Sequence, residues 1–268
     1  MLIDCNAYVG HWPFLQLQYS NCEGLLSKMN SYGVDLSVIS NLNSIFYANT
    51  QPGNEELYQE LKSRKPFQDR FIPFAVINPI YAGWKKDFKT CIQQWGMKGV
   101  RLYPKYHDYA ITDANCVELV KMARDANVPV CFNMRMVDSR SRSWMDIDYV
   151  TGTKKPEWTM KDILPIVELV PDAKYIVLNY ANPVALSDKE KQLIQNARLL
   201  MDTSGRGLTH MGEAINSFGV QKFAFGTHAP ILDYLTGQLR IESLRPSEAT
   251  QSDKERIRSG NIKKMLGV

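Results

Sequence analysis

The sequence predicts an α/β fold, a (β/α)8 TIM barrel that forms one domain over residues 1–268. Eight short and nearly continuous apolar stretches recur along the chain, and helical patterns separate most of them. Strands of this composition are typical of a parallel sheet that is buried on both faces. Eight of them in 268 residues favour a closed barrel over an open sheet. No Gly-x-Gly-x-x-Gly motif follows the first strand, which disfavours the open dinucleotide-binding sheet.

The predicted strands follow one another in order along the chain. They lie at 2–3, 36–39, 71–77, 99–103, 128–132, 175–178, 197–201 and 222–226. Helix-like patterns lie between most of them, for example EGLLSKMNSYGV before the second strand. The stretch 133–159 lacks this period and follows the fifth strand, so we expect a long loop over the carboxyl end of the barrel, where lids and binding loops lie. A last amphipathic helix is predicted over 252–266.

The composition excludes several classes of partner. The net charge is +4, from 32 basic and 28 acidic residues, and no run of Lys or Arg resembles a nucleic-acid-binding arm. We therefore expect a small, anionic ligand and no nucleic acid. Five cysteines without a Cys-x-x-Cys spacing favour a reducing compartment. Because a signal-peptide pattern and a long uninterrupted apolar stretch are both missing, we expect a cytoplasmic location and no membrane contact, while a homo-oligomer stays open.

Several motifs in fixed order carry a resemblance to a known family. They are IDCNAYVG, INP, GMKGVRLYPKYHDYAITD, VPVCFN, YIVLNYAN, LLMDTSG, FAFGTHAP and SGNIKKMLG. Together they resemble the amidohydrolase-related TIM-barrel family, in the amidohydrolase 2 branch that holds 2-pyrone-4,6-dicarboxylate lactonase and metal-dependent decarboxylases. The resemblance extends over nearly the whole chain and implies hydrolase chemistry, with lyase chemistry close to it.

Members of that family typically hold a divalent metal ion with a His-x-His pair after the first strand, single histidines after the fifth and sixth strands, and an Asp after the eighth. The matching positions of this sequence are Asn6, Tyr8, Asn133, Asn179 and His228. Amide oxygens are weak ligands for zinc, and a phenol with an ordinary pKa of about 10 is a poor zinc ligand. We therefore expect a divergent member without the usual metal site and without another cofactor.

The residues at these positions can still form a polar pocket. If strand alternation holds, Arg101 and Tyr103 of the fourth strand share one face, and Arg135 lies two residues beyond Asn133. A guanidinium at a barrel mouth is suited to a carboxylate or a phosphate. The candidate substrate-binding residues are therefore Asn6, Arg101, Tyr103, Asn133, Arg135 and Asn179.

Three side chains are candidates for catalysis. His228 is the candidate for acid–base chemistry, because the ordinary pKa of an imidazole lies near neutrality. Tyr8 is a candidate proton donor beside it, and Asp202 after the seventh strand could orient either group. These residues favour a metal-independent, lactonase-like hydrolase that acts on a small polar or anionic compound, such as a lactone or a carboxylated sugar.

Other interpretations of the same residues stay open. The three asparagines could satisfy one another, His228 could be a structural histidine, and Arg101 could form a structural bridge to Asp4 or Asp202. A relocated metal site could use His11, His107 and His228 with one of these carboxylates. The alternative function is a non-catalytic ligand-binding or regulatory protein on the same barrel.

Overall fold

The structure, a computed structural model, is a (β/α)8 TIM barrel of parallel strands, as predicted. It describes residues 1–13, 16–136, 158–180, 185–205 and 210–268. The strands are β1 (Ile3–Val9), β2 (Leu36–Asn41), β3 (Phe71–Pro73), β4 (Ala75–Val76), β5 (Val100–Leu102), β6 (Val130–Asn133), β7 (Lys174–Leu178), β8 (Arg198–Asp202) and β9 (Phe223–Ala224). They lie at the eight predicted places, because β3 and β4 together make the third strand of the barrel.

Helices follow most of the strands. They are α1 (Cys22–Ser31), α2 (Gln51–Ser63), α3 (Lys65–Arg70), α4 (Trp84–Lys89), α5 (Pro104–His107), α6 (Ala114–Asp125), α7 (Met160–Leu169), α8 (Asp188–Asn196), α9 (Met211–Phe218), α10 (Tyr234–Glu242), α11 (Gln251–Glu255) and α12 (Asn261–Leu266). A π-helical turn, Arg256–Gly260, joins the last two into one helical segment. None of the helices among the described residues is both long enough and apolar enough to cross a membrane. Most of the predicted loop 133–159 lies outside the described residues.

Backbone hydrogen bonds connect the strands around the barrel. One sheet has the order β1-β2-β3 and the other the order β4-β5-β6-β7-β8-β9. At Phe74 the chain changes partner, since the amide of Phe74 donates to Ile39 O at 2.8 Å and the amide of Ala75 donates to Gly99 O at 2.9 Å. On the other side, the amide of Cys5 donates to Phe225 O at 2.8 Å. Both joints between the two sheets are therefore bridged by hydrogen bonds.

Two buried apolar layers fill the inside of the ring. The interior cluster contains Ile3, Cys5, Val38, Ile72, Phe74, Cys131, Ile176, Leu178, Leu200, Ala224, Ile262 and Met265. The mouth cluster, at the carboxyl ends of the strands, contains Tyr8, Trp12, Leu42, Ile45, Val76, Tyr103 and Met136. Because α12 contributes Ile262 and Met265 to the interior cluster, it covers the amino-terminal end of the barrel. The candidate site lies at the opposite end.

A β-bulge in β1 sets which of its side chains point into the barrel. Its pairing with β2 shifts register between Asp4 and Ala7. Before the shift, Cys5 belongs to the interior cluster, and after it Tyr8 belongs to the mouth cluster while Ala7 packs outside the ring. A bulge adds a residue to one strand and reverses its side-chain alternation. This reversal is what turns Asn6 and Tyr8 toward the mouth.

The carboxylate of Asp4 fastens the first strand to the segment that follows the last one. It accepts hydrogen bonds from the amide of Thr227 at 3.0 Å, from Thr227 Oγ1 at 2.5 Å and from the amide of Asn6 at 2.9 Å. Asp4 is fully buried. Burial raises the pKa of Asp4 from 3.8 to about 6, although these three hydrogen bonds favour the carboxylate. Asp4 thus connects the first strand to the segment around Thr227 that leads to His228.

Replacing Asp4 by Asn should remove a pH-dependent loss of stability. The folded protein holds the Asp4 proton up to about pH 6, whereas the unfolded chain loses it near pH 3.8. The free energy of unfolding of the wild type should therefore fall as the pH rises through this window, by about 3 kcal/mol relative to the Asp4→Asn variant. Urea unfolding of both proteins between about pH 4 and 7 measures this difference. A difference that stays constant over the range would contradict the account.

A methyl group at Gly99 should destabilise the barrel. A Cβ atom there would overlap the ring of Phe74, which is fully buried in the interior cluster. Overpacking of this kind costs about 1–3 kcal/mol. At Gly260, by contrast, the nearest atom to an added Cβ lies 3.9 Å away and the backbone is helical. Thermal unfolding should therefore give a lower Tm for Gly99→Ala and an unchanged or higher Tm for the control Gly260→Ala. Equal effects of the two substitutions would exclude this packing argument.

Candidate functional site

All nine residues that the sequence proposes for the site lie at the carboxyl ends of the strands. Asn6 and Tyr8 are on β1, Arg101 is on β5, Asn133 ends β6 and Asp202 ends β8. The other four follow strand ends directly or within a few residues: Tyr103, Arg135, Asn179 and His228. Parallel strands place these ends on one rim of the barrel.

The amide of Asn6 is the centre of a buried hydrogen-bond network. Its Nδ2 donates to Asp202 Oδ2 at 2.7 Å and lies 3.1 Å from Nδ1 of His228. The same nitrogen lies 3.3 Å from the hydroxyl of Ser204, which donates to Asp202 Oδ2 at 2.6 Å. A carboxylate oxygen accepts only, so the amide nitrogen of Asn6 must face it, and this fixes the orientation of the amide group.

These contacts also define the state of His228. Its Nε2 lies 2.7 Å from the carbonyl oxygen of Met136, which accepts only, so Nε2 carries the hydrogen. Nδ1 accepts the second amide hydrogen of Asn6 and is therefore unprotonated. His228 is thus a neutral imidazole, fully buried, with both ring nitrogens hydrogen-bonded. Asp202 acts on the His228 ring indirectly, because it orients the Asn6 amide that donates to Nδ1.

Asp202 is itself held by three neighbours. Besides Asn6 and Ser204, the amide of Asn179 donates to Oδ1 of Asp202 at 2.7 Å. Burial raises the pKa of Asp202, while these hydrogen bonds and the positive charge of Arg240 act in the other direction. This carboxylate therefore organises three segments of the rim.

Arg101 is completely buried and makes no salt bridge within the described parts of the chain. Its Nη1 lies 3.4 Å from Asn6 Oδ1, its Nη2 donates to Val38 O at 3.1 Å, and its guanidinium carbon lies 4.5 Å from the centre of the Tyr8 ring. The structural bridge from Arg101 to Asp4 or Asp202 is therefore absent among these contacts. The cation is stabilised by an amide, a carbonyl and an aromatic face.

Tyr8 lies between Arg101, His228 and Asn133. Its hydroxyl accepts a hydrogen bond from Asn133 Nδ2 at 3.0 Å, and its ring contacts that of His228 edge to face, with centroids 5.1 Å apart. Burial raises the pKa of the Tyr8 phenol well above its ordinary value. The phenol is therefore protonated at neutral pH, which is compatible with a role as donor.

Asn179 and Arg135 form the outer part of the site. The Nδ2 of Asn179 donates to the carbonyl oxygen of Arg135 at 3.0 Å, which fixes the amide orientation, and Arg135 Nη2 donates to Gly205 O at 3.3 Å. Within the described ranges, Oδ1 of Asn179 and Oδ1 of Asn133 are buried acceptors without a donor. The guanidinium of Arg135 is half-buried. This part of the rim therefore combines a positive charge with two acceptors that a ligand could satisfy.

Two of these residues have a left-handed backbone, with φ of 53° at Asn179 and 64° at His228. This region is uncommon for residues other than Gly, although Asn adopts it more readily. Such conformations cluster at binding and catalytic sites. Here they follow two strands of the same rim.

The three asparagines do not satisfy one another in the contacts of the described residues. Asn6 binds Asp202 and His228, Asn133 binds Tyr8, and Asn179 binds a backbone carbonyl. Ser204 and Met136 belong to the network but are not among the predicted site residues. The position of Ser204 in the motif LLMDTSG, two residues beyond Asp202, is a signal that could have indicated it. The contact of His228 with a backbone carbonyl leaves no such signal.

The residues at the five family positions do not fit a zinc ion. The Nη1 atom of Arg101 is the neighbour of Asn6 Oδ1, and a guanidinium repels a divalent cation. Both nitrogens of His228 are engaged, and the phenol of Tyr8 resists ionisation. The remaining donors, on Asn133 and Asn179, are amide oxygens, which are weak zinc ligands.

The proposed relocated metal site is not found in the described part of the chain. No group of three or more His, Cys, Asp or Glu side chains there could hold a metal ion. His107 is buried in α5, its Nε2 lies 3.3 Å from Ser44 O, and burial lowers its pKa to about 4. The backbone amide of His11 donates to Asn43 Oδ1, and its side chain is exposed.

Comparison with known proteins identifies the architecture. No protein-family model and no curated protein matches the chain. Among solved structures, a Staphylococcus aureus protein assigned as an amidohydrolase is similar with a TM-score of 0.73 and 17% identity, over 100% of this chain and 99% of that one. The 2,6-dihydroxybenzoate decarboxylase from Rhizobium has a TM-score of 0.71 and 14% identity, over 99% and 98%. The 4-oxalomesaconate hydratase from Rhodopseudomonas palustris has a TM-score of 0.70 and 16% identity, over 100% and 96%.

These similarities extend over almost the full length of each chain, while the sequences share few residues. Identity at this level supports the fold and not the activity. The resemblance found in the sequence motifs is therefore confirmed at the level of architecture: the chain has the TIM-barrel fold of amidohydrolase-related proteins.

Proposed function

We propose that this protein is a metal-independent, hydrolase-type barrel that holds a small, hydroxylated carboxylate at its mouth, such as a carboxylated sugar or the corresponding lactone. The observation that carries the proposal is the buried, oriented Oδ1 of Asn179, which accepts no hydrogen bond among the described residues, while Nδ2 of the same amide donates to the main-chain carbonyl of Arg135, a half-buried cationic residue. A ligand that offers both an anionic acceptor and a hydroxyl donor complements this pair.

The chemistry of the other side chains supports the same class of ligand. Asn133 adds a second buried acceptor, and Arg101 keeps a positive charge below the rim. The names of two similar structures, the dihydroxybenzoate decarboxylase and the oxalomesaconate hydratase, refer to carboxylates. A carboxylate ligand is thus consistent with both the charge of this site and the type of compound named for those proteins.

Hydrolysis of a lactone needs a polarised carbonyl and a base for the attacking water, and neither requires a metal ion. His228 is the candidate base. Its Nδ1 accepts from Asn6, so the ring would exchange this hydrogen bond for one from water when the substrate binds. The neutral phenol of Tyr8 beside it is a hydrogen-bond donor for the developing oxyanion.

A second candidate function is ligand binding without catalysis. The engagement of both ring nitrogens of His228 favours it, because a satisfied and fully buried imidazole is in the state expected of a structural histidine. A substitution of His228 distinguishes the two functions, because it should remove hydrolysis and leave ligand binding.

Replacing Arg135 by Gln should weaken the binding of carboxylated sugars. We expect calorimetric titration with glucuronate to give a Kd at least about tenfold higher for Arg135→Gln, because a charge-assisted hydrogen bond is lost. The Asn179→Gly variant keeps the left-handed backbone and the amide bonded to Asp202, and it should also weaken binding. The exposed Arg256→Gln is the matched control.

The uncharged analogue glucose should bind more weakly than glucuronate to the wild type. Binding of glucuronate that survives unchanged in Arg135→Gln, Asn179→Gly and Arg101→Ala would exclude the proposed pocket.

Hydrolysis of lactones, if it is the activity, should resist chelators and depend on His228. We expect glucono-lactone opening by dialysed protein to continue at the same rate with EDTA present, and elemental analysis to find no stoichiometric zinc or manganese. The His228→Asn variant tolerates the left-handed backbone and should lose hydrolysis by about 100-fold or more while it still binds glucuronate. Stoichiometric metal with loss of activity in EDTA would contradict the metal-free mechanism. Hydrolysis absent from the wild type, with glucuronate still bound, would assign the binding function.

A further inference from the structure

We propose that a cavity at the end of the barrel opposite the candidate site binds a small phosphate-bearing anion. The cavity has a volume of about 260 Å³, and its charged lining residues are Arg198, Lys222 and Lys264. This basic cavity is separate from the residues of the mouth, and nothing in the proposed carboxylate chemistry uses it.

The position of the basic cavity follows from the topology. Arg198 is the first residue of β8, and Lys222 directly precedes β9, so both lie at the amino-terminal ends of neighbouring parallel strands. Lys264 belongs to α12, which covers this end of the barrel through Ile262 and Met265. Three basic residues from three segments of the chain therefore line one cavity.

The basic cavity has no compensating acid among the described residues. None of the described residues that line it is an Asp or a Glu. No carboxylate in the described chain lies within 4.0 Å of a charged nitrogen of Arg198, Lys222 or Lys264, since these residues make no salt bridge there. Lys174, the first residue of β7, is paired with Arg198 in the sheet register and adds a fourth positive charge nearby. Among the described residues, no acid therefore pairs directly with the three cations that line the cavity.

Lys222 is the residue that makes the cavity more than a patch of surface lysines. The residue is only 6% exposed, and its Nζ donates one hydrogen bond, to Ala197 O at 2.7 Å. An ammonium group has three hydrogens to donate. Burial lowers the pKa of Lys222, which reports the cost of keeping its charge there. A bound anion would offset this cost, because buried charges are normally paired.

The size and charge of the cavity indicate the class of anion. A volume of about 260 Å³ is at or below the lower end of the range for drug-sized ligands, so a small group fits. A phosphate group places up to about two negative charges on one centre near pH 7, whereas a carboxylate places one. Lys and Arg side chains both bind phosphate oxygens through charge-assisted hydrogen bonds. The free ion and a phosphate ester share this chemistry.

Calorimetric titration of the full chain with sodium pyrophosphate tests the proposal. The ionic strength is matched with sodium chloride, and the Arg135→Gln variant is titrated in parallel, since the mouth site could also attract anions. We expect saturable binding that persists in Arg135→Gln. In Arg198→Gln and Lys264→Gln, both at exposed positions, the Kd should rise at least about tenfold. Lys222→Met should act in the same direction, and the exposed Lys121→Gln should leave the Kd unchanged.

Two further probes distinguish the sources of the phosphate group. Inorganic phosphate that binds at the same residues indicates the free ion, and ribose 5-phosphate that binds more tightly indicates an ester. The proposal is overturned if pyrophosphate does not saturate, if Lys121→Gln weakens binding as much as Arg198→Gln, or if citrate binds as tightly as pyrophosphate. Loss of binding in Arg135→Gln alone would place the anion at the mouth instead. That result would overturn this inference and leave the proposed function intact.

Discussion

One amide group organises the carboxyl end of this barrel. The side chain of Asn6 donates one hydrogen to Asp202 and the other to Nδ1 of His228, and its orientation is fixed by the carboxylate. From this follow the tautomer of His228, the contact of that ring with Met136 O, and the position of Asn6 Oδ1 near Arg101. Each of these groups is buried, so an unpaired member of the network would carry a desolvation cost of about 1–3 kcal/mol.

The same network explains how the positive charge of Arg101 is kept inside the ring. Arg101 lies above the face of the Tyr8 ring and near Asn6 Oδ1, which lower the cost of burying its guanidinium. A divalent ion at the family position would have to share this space with Arg101, and the two cations repel each other. The buried guanidinium of Arg101 and the amide of Asn6 therefore stabilise each other. Neither is compatible with the metal-binding arrangement that the sequence motifs imply for related proteins.

The architecture was predictable because it depends on a pattern that each segment carries by itself. The eight apolar stretches mark eight buried strands, and alternation correctly places Arg101 inward, since its neighbours Val100 and Leu102 pack outside the ring. The interruption at Phe74 was not predictable, because it arises where the chain changes partner from β2 to β5. The bulge in β1 is also a property of pairing with another strand. Without knowledge of it, simple alternation would turn Asn6 away from the face that Cys5 occupies.

The candidate site was predictable as a set of positions and much less as a set of roles. Motif order located the rim residues, but a role depends on hydrogen bonds to distant backbone atoms, such as Met136 O for His228. That contact bears directly on the choice between catalysis and binding. Displacing Asn6 from Nδ1 frees one buried amide hydrogen, which costs about 1–3 kcal/mol unless the substrate accepts it, and this does not exceed the barrier lowering of about 3–5 kcal/mol expected of a general base. The bond from Asn6 to His228 therefore does not prevent catalysis. It makes substrate binding, through displacement of Asn6 from Nδ1, the event that would convert a structural histidine into a base.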